Sequence, residues 1–191
     1  MRVCIFASSS SRVSSEYADA ASELGLLMSR AGIEIVFGGG GIGLMGKLAD
    51  AVIENNGSIT GVIPSFMKDE GWEHSDVNEM IVTADMGERK KKMFAMADAI
   101  VALPGGVGTL EELTEAITLK QLGFFRGAII ILNTRDFYKS LIDFFEHMVS
   151  ESFLRYEHKG IWEVAGTPLE VMSLLDKNVP WLSDPVKIAK I

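Results

Sequence analysis

A chain of 191 residues that is 48% apolar, with a formal charge of −8, suits one α/β domain with a sizeable core and argues against a nucleic acid polymer as partner. No uninterrupted apolar stretch reaches the roughly 20 residues that span a bilayer, and the N-terminus runs straight into Arg2-Val3-Cys4-Ile5-Phe6-Ala7, a strand rather than a signal peptide, so no membrane is expected as a partner. The single cysteine, Cys4, has no intrachain partner for a disulfide; a core position and a cytoplasmic home are the simplest expectation.

The first strand, residues 2–7, ends in Ser8-Ser9-Ser10-Ser11, after which Ser14 or Ser15 can cap a helix to about residue 31. Serines at the carboxyl end of a strand line ligand crevices in open α/β sheets, and they also simply cap helices. A second strand, 33–37, enters Gly38-Gly39-Gly40-Gly41-Ile42-Gly43-Leu44-Met45-Gly46, and a helix then runs to Asn55-Asn56-Gly57. The stretch fits G-x-G-x-x-G in two registers, Gly38/Gly40/Gly43 and Gly41/Gly43/Gly46. A dinucleotide fingerprint, however, follows the first strand and needs an acidic residue about 20 positions on. Here the third strand, 59–63, ends in Val62-Ile63-Pro64 with no carboxylate, so the stretch reads as an anion-tolerant turn.

Residues 65–78 lack periodicity and read as a long loop over the sheet edge, the kind that serves as a lid or binding loop. Its Glu70, Glu73 and His74 read as solvated, because no second histidine stands at ligand spacing. A fourth strand, 80–83, precedes a helix, 86–97, whose apolar positions Met86, Met93 and Ala97 predict one buried face. That helix also carries the basic run Arg89-Lys90-Lys91-Lys92.

The fifth strand, 99–103, leads into Pro104-Gly105-Gly106-Val107-Gly108-Thr109-Leu110-Glu111-Glu112 and a helix over 110–122. Three glycines admit a ligand close to the backbone, and the first amides of the helix have no partners inside it, so phosphate is the natural occupant. Thr109 as N-cap would place Glu112 third in the helix, a capping box stabilising it by about 1 kcal/mol. The other reading is a carboxylate held beside a phosphate-sized hole, and Thr-x-x-Glu leaves both open. A sixth strand, 128–132, a helix over 136–149 with apolar Leu141, Ile142, Phe144, Phe145 and Met148, and a helix over 168–175 with Pro168 at its first position follow. The tail 179–191, with Pro180 and Pro185, reads as an extended arm. The helix 110–122 with Phe124 and Phe125 just beyond is a candidate contact surface.

Strands alternating with helices predict a three-layer, Rossmann-like α/β fold, a mostly parallel doubly wound sheet with helices on both faces, in one nucleotide-binding domain over 1–191. The turns after strands one, two and five then share one sheet edge and can converge on one crevice, with Ser8, Ser9, Gly40, Gly41 and Met45 as candidate contacts.

Three blocks, Gly39 to Gly46, Asp85-Met86-Gly87-Glu88-Arg89-Lys90, and Pro104 to Glu112, resemble the signature blocks of the LONELY GUY family, the cytokinin-activating phosphoribohydrolases, many of them formerly labelled lysine decarboxylase-like. The resemblance covers residues 2–150. It implies hydrolysis of the N-glycosidic bond of an adenosine 5′-monophosphate, often N6-modified, to free base and ribose 5-phosphate. It maps the catalytic pair onto Arg89 and Glu112, and nucleotide contacts onto Gly105, Gly106, Val107, Gly108, Thr109, Leu110 and Glu111, with Lys90 and Thr118. It implies a homodimer; neither a cofactor nor a metal is expected. Two departures are visible: Gly87 stands where the family has a histidine, and Ala7-Ser8-Ser9-Ser10 replaces its Cys-Gly pair. Competing readings are a non-catalytic carrier of a nucleotide or molybdenum cofactor, and a pyridoxal-phosphate decarboxylase, which needs a Schiff-base lysine that no local context singles out.

Overall fold

The structure, a computed structural model, describes residues 1–177; the expected arm over 179–191 lies outside the described residues. Seven strands, β1 (Arg2–Phe6), β2 (Glu34–Phe37), β3 (Ile59–Pro64), β4 (Glu79–Thr83), β5 (Ala99–Ala102), β6 (Ile129–Leu132) and β7 (Glu163–Ala165), form one sheet in the order β4-β3-β2-β1-β5-β6-β7. Every neighbouring pair is parallel. The helices between them are α1 (Ser15–Arg30), α2 (Gly43–Glu54), α3 (Ser65–Asp69), α4 (Met86–Met96), α5 (Val107–Gln121), α6 (Lys139–Ser150) and α7 (Pro168–Lys177).

Alternation along the pleat divides the core in two. Val3 and Ile5 of β1 pack with Leu24 and Met28 of α1, Leu48 and Val52 of α2 and Val171 of α7. Cys4 and Phe6 face the other way, toward Met93 of α4, Leu113 and Ile117 of α5 and Phe145 of α6. Helices therefore cover both faces, as a sheet of parallel, doubly buried strands requires. The chain builds outward from β1 to β4, then returns to lay β5 on the other side of β1, with Ile5 registered against Phe37 of β2 and Val101 of β5. That reversal opens a crevice beyond the carboxyl ends of β1 and β5, where open α/β sheets bind ligands.

Several expectations change. The segment after β3 is not an irregular loop: it opens with α3 and then forms an antiparallel bridge between Glu73 and Gly40. His74 is buried, not solvated, with Nε2 3.1 Å from Asp50 Oδ1 of α2 and Nδ1 accepting the Asp76 amide. β7 was not read from the sequence; its three residues, behind the buried Ile161 and Trp162, are too few to display a period. Met86, expected to be buried, is 37% exposed, and Phe125, expected at a contact surface, is in the core while Phe124 is exposed. The apolar side of α6 buries only Phe145, leaving Phe144 exposed.

Candidate active site

A cavity of about 580 Å³ occupies the crevice. The loop after β1 forms its floor, the glycine turn before α2 one side, and the start of α5 the other.

α4 is placed by its N-cap. Asp85 Oδ1 accepts the Glu88 amide at 2.8 Å while Glu88 Oε2 accepts the Ala84 amide at 2.7 Å, an Asp-x-x-Glu cap that the sequence reading passed over. This fixes Arg89 in the first turn of α4, where the residue is 6% exposed. Arg89 Nε donates to the Val62 carbonyl at 3.0 Å, and Nη1 donates to Glu112 Oε1 at 2.7 Å.

α5 begins three residues earlier than expected, at Val107 with Gly106 as its N-cap. Thr109 is thus inside the helix, buried against Gly105, and Glu112 is its sixth residue, beyond the reach of any capping role. The capping box is overturned. Glu112 is 7% exposed and lines the cavity. Burial pushes its carboxyl above the usual range; the charge and hydrogen bond of Arg89 act in the opposite sense and do not cancel that push. Beneath the pair, Cys4 is a core residue whose thiol is pushed up by burial and by the Glu112 charge.

The amides of Val107, Gly108 and Thr109 have no hydrogen-bond partner among the described residues, whereas Leu110 N already bonds Gly106 O at 3.0 Å. The first turn of α5 thus presents three open donors at the positive end of its dipole. The glycine turn before α2 does not match this pattern. Its helix amides, Leu44 and Met45, both donate to the Ser8 carbonyl, at 2.9 and 3.2 Å, and Gly46 N bonds Ile42 O. Of the first three helix amides, Gly43 N alone has no partner among the described residues, so this turn offers an anion fewer helix donors than the start of α5 does.

Of the residues expected in the site, Ser8, Ser9, Gly40, Met45, Arg89, Gly106, Gly108, Thr109, Glu111 and Glu112 line the cavity. Gly105, Gly41, Val107 and Leu110 flank it without lining it. Lys90 turns away, bridging Glu111 and Glu115 of α5, whose hydrogen bonds raise its pKa. Thr118 is exposed, two turns along α5 from Glu111, and bonds the Thr114 carbonyl. Met67, Trp72 and Met86 complete an apolar wall that residue spacing did not reveal. Gly87 is exposed in the first turn of α4, with only Asp85 Oδ1 near the position a side chain would take.

Residues 45–175 match the family model described as "Possible lysine decarboxylase". The cytokinin riboside 5′-monophosphate phosphoribohydrolase LOG of Oryza sativa subsp. japonica is 39% identical over 179 residues, covering 94% of this chain and 74% of its own. A cytokinin riboside 5′-monophosphate phosphoribohydrolase of Arabidopsis thaliana is also 39% identical, over 94% of this chain and 84% of its own. The chain belongs to the LONELY GUY family. Among solved structures, the molybdenum cofactor carrier protein of Chlamydomonas reinhardtii shares the fold, with a TM-score of 0.69 at 20% identity over 92% of this chain and 96% of its own.

Within this LONELY GUY chain the label of decarboxylase finds no chemical support in the cavity, since no lysine lines it among the described residues. One lysine does stand out in the structure: Lys120 of α5 is 5% exposed, and burial pulls its pKa down to about 8. It too lies away from the cavity lining.

Proposed function

We propose that this LONELY GUY protein hydrolyses the N-glycosidic bond of an N6-modified adenosine 5′-monophosphate, releasing the free base and ribose 5-phosphate. The observation that carries the reading is the buried Arg89–Glu112 pair in the wall of a cavity that also holds the open amides at the start of α5. The 5′-phosphate sits on the amides of Val107 to Thr109, and that remote binding energy places the ribose C1′ against Glu112. The bond from C1′ to the base nitrogen breaks through an oxocarbenium-like state. The Glu112 carboxylate stabilises that state and takes a proton from the water whose oxygen attaches to C1′. The departing base keeps the bonding electrons and takes a proton from solvent, and Glu112 gives its own proton back to solvent to end the cycle as a carboxylate. Arg89, always cationic and forked, holds Glu112 ionised and oriented.

Purified protein mixed separately with AMP, isopentenyl-AMP and adenosine tests the reading by chromatography of released base. Base is expected from the nucleotides, and far less from adenosine. Equal turnover of adenosine and AMP would contradict it, and tight AMP binding with no product would favour a carrier.

A homodimer belongs to the same reading. Leu110, Thr114, Thr118 and Leu122 form an uncharged stripe along the outer side of α5, with Phe124 79% exposed just beyond; such a stripe suits a partner surface. Light scattering should give twice the chain mass. No helix among the described residues is long and apolar enough to cross a membrane, and a cytoplasmic location, with Cys4 reduced, goes with the nucleotide substrate.

A further inference from the structure

The glycine stretch after β2 contains residues whose side chains are missing for different reasons. Gly39 and Gly43 have left-handed backbones, with φ of 77° and 68°. Gly46 lies against the backbone of Gly41. Gly38 fits neither description: its φ is ordinary, and no backbone stands in the way of a side chain. A Cβ there would fall inside the contact distance of Arg89 Nη2 and 3.3 Å from Arg89 Cζ, with Met45 Sδ at 3.1 Å.

We propose that Gly38 is a positioning residue for Arg89: the methyl-sized gap it leaves at the end of β2 seats the guanidinium that grips Glu112. This rests on the hydrolase reading above for its consequence, but the geometry stands without it. The guanidinium is planar and rigid, and two of its edges are fixed, Nε on the Val62 carbonyl and Nη1 on Glu112. A methyl at position 38 presses on the third nitrogen. The plane cannot tilt away without lengthening both bonds at once. Because the obstacle is the end of a long side chain and not backbone, the fold yields by displacing Arg89, not by unfolding. The first glycine of the run therefore acts on the chemistry through a side chain 51 positions away, and no phosphate contact is involved.

The experiment compares wild type, Gly38→Ala, Arg89→Lys and the double variant. Lysine lacks Nη2, so the double variant has room for the methyl. Gly38→Ala is expected to fold and to lower kcat for AMP about ten-fold or more, while the same change in the Arg89→Lys background lowers it less than about two-fold, a non-additivity that marks direct contact. The acidic limb of the pH profile of Gly38→Ala should also move to higher pH. Losing the Arg89 hydrogen bond and the closeness of its charge leaves burial opposed by the smaller effect of Lys90 alone, and the Glu112 carboxyl then ionises at higher pH. Equal losses in both backgrounds with an unmoved limb would overturn the proposal. Should wild type release no base from AMP, the hydrolase reading fails separately. The crystal structure of Gly38→Ala then decides: Arg89 displaced from Glu112 supports the role, Arg89 unmoved refutes it. If Gly38→Ala does not fold, recovery of the fold in the double variant supports the role and continued misfolding refutes it.

Discussion

Two glycine turns face each other across the crevice, one between β2 and α2 and one between β5 and α5, and they have opposite uses. The first has more glycines and the better match to a nucleotide fingerprint, yet protein carbonyls take two of the first three amides of its helix: Leu44 and Met45 bond Ser8 O, and just before them Gly41 N bonds the Trp72 carbonyl of the segment after α3. Its glycines allow backbones to touch. The second turn has fewer glycines, and the amides of Val107, Gly108 and Thr109 stay open. Glycine content thus marks close approach of the backbone to something; only the fate of the amides tells whether that something is protein or ligand.

The comparison breaks most sharply at Glu112, which only the second turn supplies. Glu112→Gln keeps the shape and an oxygen for Arg89 Nη1 to donate to, so the variant should fold and bind AMP while base release falls about 10²–10⁴-fold, the usual worth of a positioned base. Normal turnover would remove Glu112 from the chemistry. In the wild type the carboxylate is the working form and its pKa is raised by burial. Activity should therefore decline as pH falls through a value above the ordinary glutamate range, and kcat measured across pH 4 to 8, a span chosen to bracket that range, would locate it.

Alanine at one glycine of each turn sharpens the contrast. Gly43 has φ of 68°, and a Cβ on it would lie 2.5 Å from the Ser9 carbonyl carbon and 2.7 Å from Ser8 O. Gly43→Ala should destabilise by about 2–3 kcal/mol, read in urea denaturation, whatever it does to turnover. Gly108 has nothing within 4 Å of an added Cβ. Gly108→Ala should leave stability within about 0.5 kcal/mol and raise KM for AMP on the order of ten-fold, because the added methyl keeps the phosphate from closing on the Gly108 amide, a loss comparable to one hydrogen bond to a charged group. The reverse pattern would mean that the ligand sits at the first turn.

The layers of the fold were legible because β1, β5 and β6 are continuous apolar runs, and such runs alternating with amphipathic helices admit few topologies. β7 and α3 were not, since three and five residues carry too little pattern to show a period. The site was legible in part. Open amides at α5 followed from strand, glycines and helix alone, but the start of that helix was misplaced by three residues because Thr109 looks like a cap and Gly106 is the cap. That displacement produced the capping box. Arg89 and Glu112 are 23 positions apart on helices separated by β5; no spacing rule joins them, and only the resemblance to LONELY GUY blocks pairs them. Met67 and Trp72 escaped because the segment holding them is fixed by contacts with the glycine turn and α2, not by its own periodicity.

The smallest effect tests whether the chemistry is confined to the near end of α5. Lys120, at its far end, has its pKa pulled down to about 8 by burial, with the Glu163 charge opposing. Below about pH 8 the ammonium is charged in both folded and unfolded chains and the burial penalty is complete. As pH rises from about 8 to the unfolded value of 10.5, the folded chain gives up the proton first and the penalty fades, so wild-type stability should climb over that window. Lys120→Met removes the penalty outright. At pH 7 it should stabilise by roughly 1 to 2 kcal/mol, reduced from the full desolvation term because a cation in the last helical turn is otherwise favourable. At pH 10 most of that gain should be gone. Urea denaturation at both values checks the sign, and an equal gain at both would deny that burial of charge is its source. Base release by Lys120→Met should match wild type; its abolition would move the reactive group to the far end of the helix and restore the lysine-dependent reading of this family.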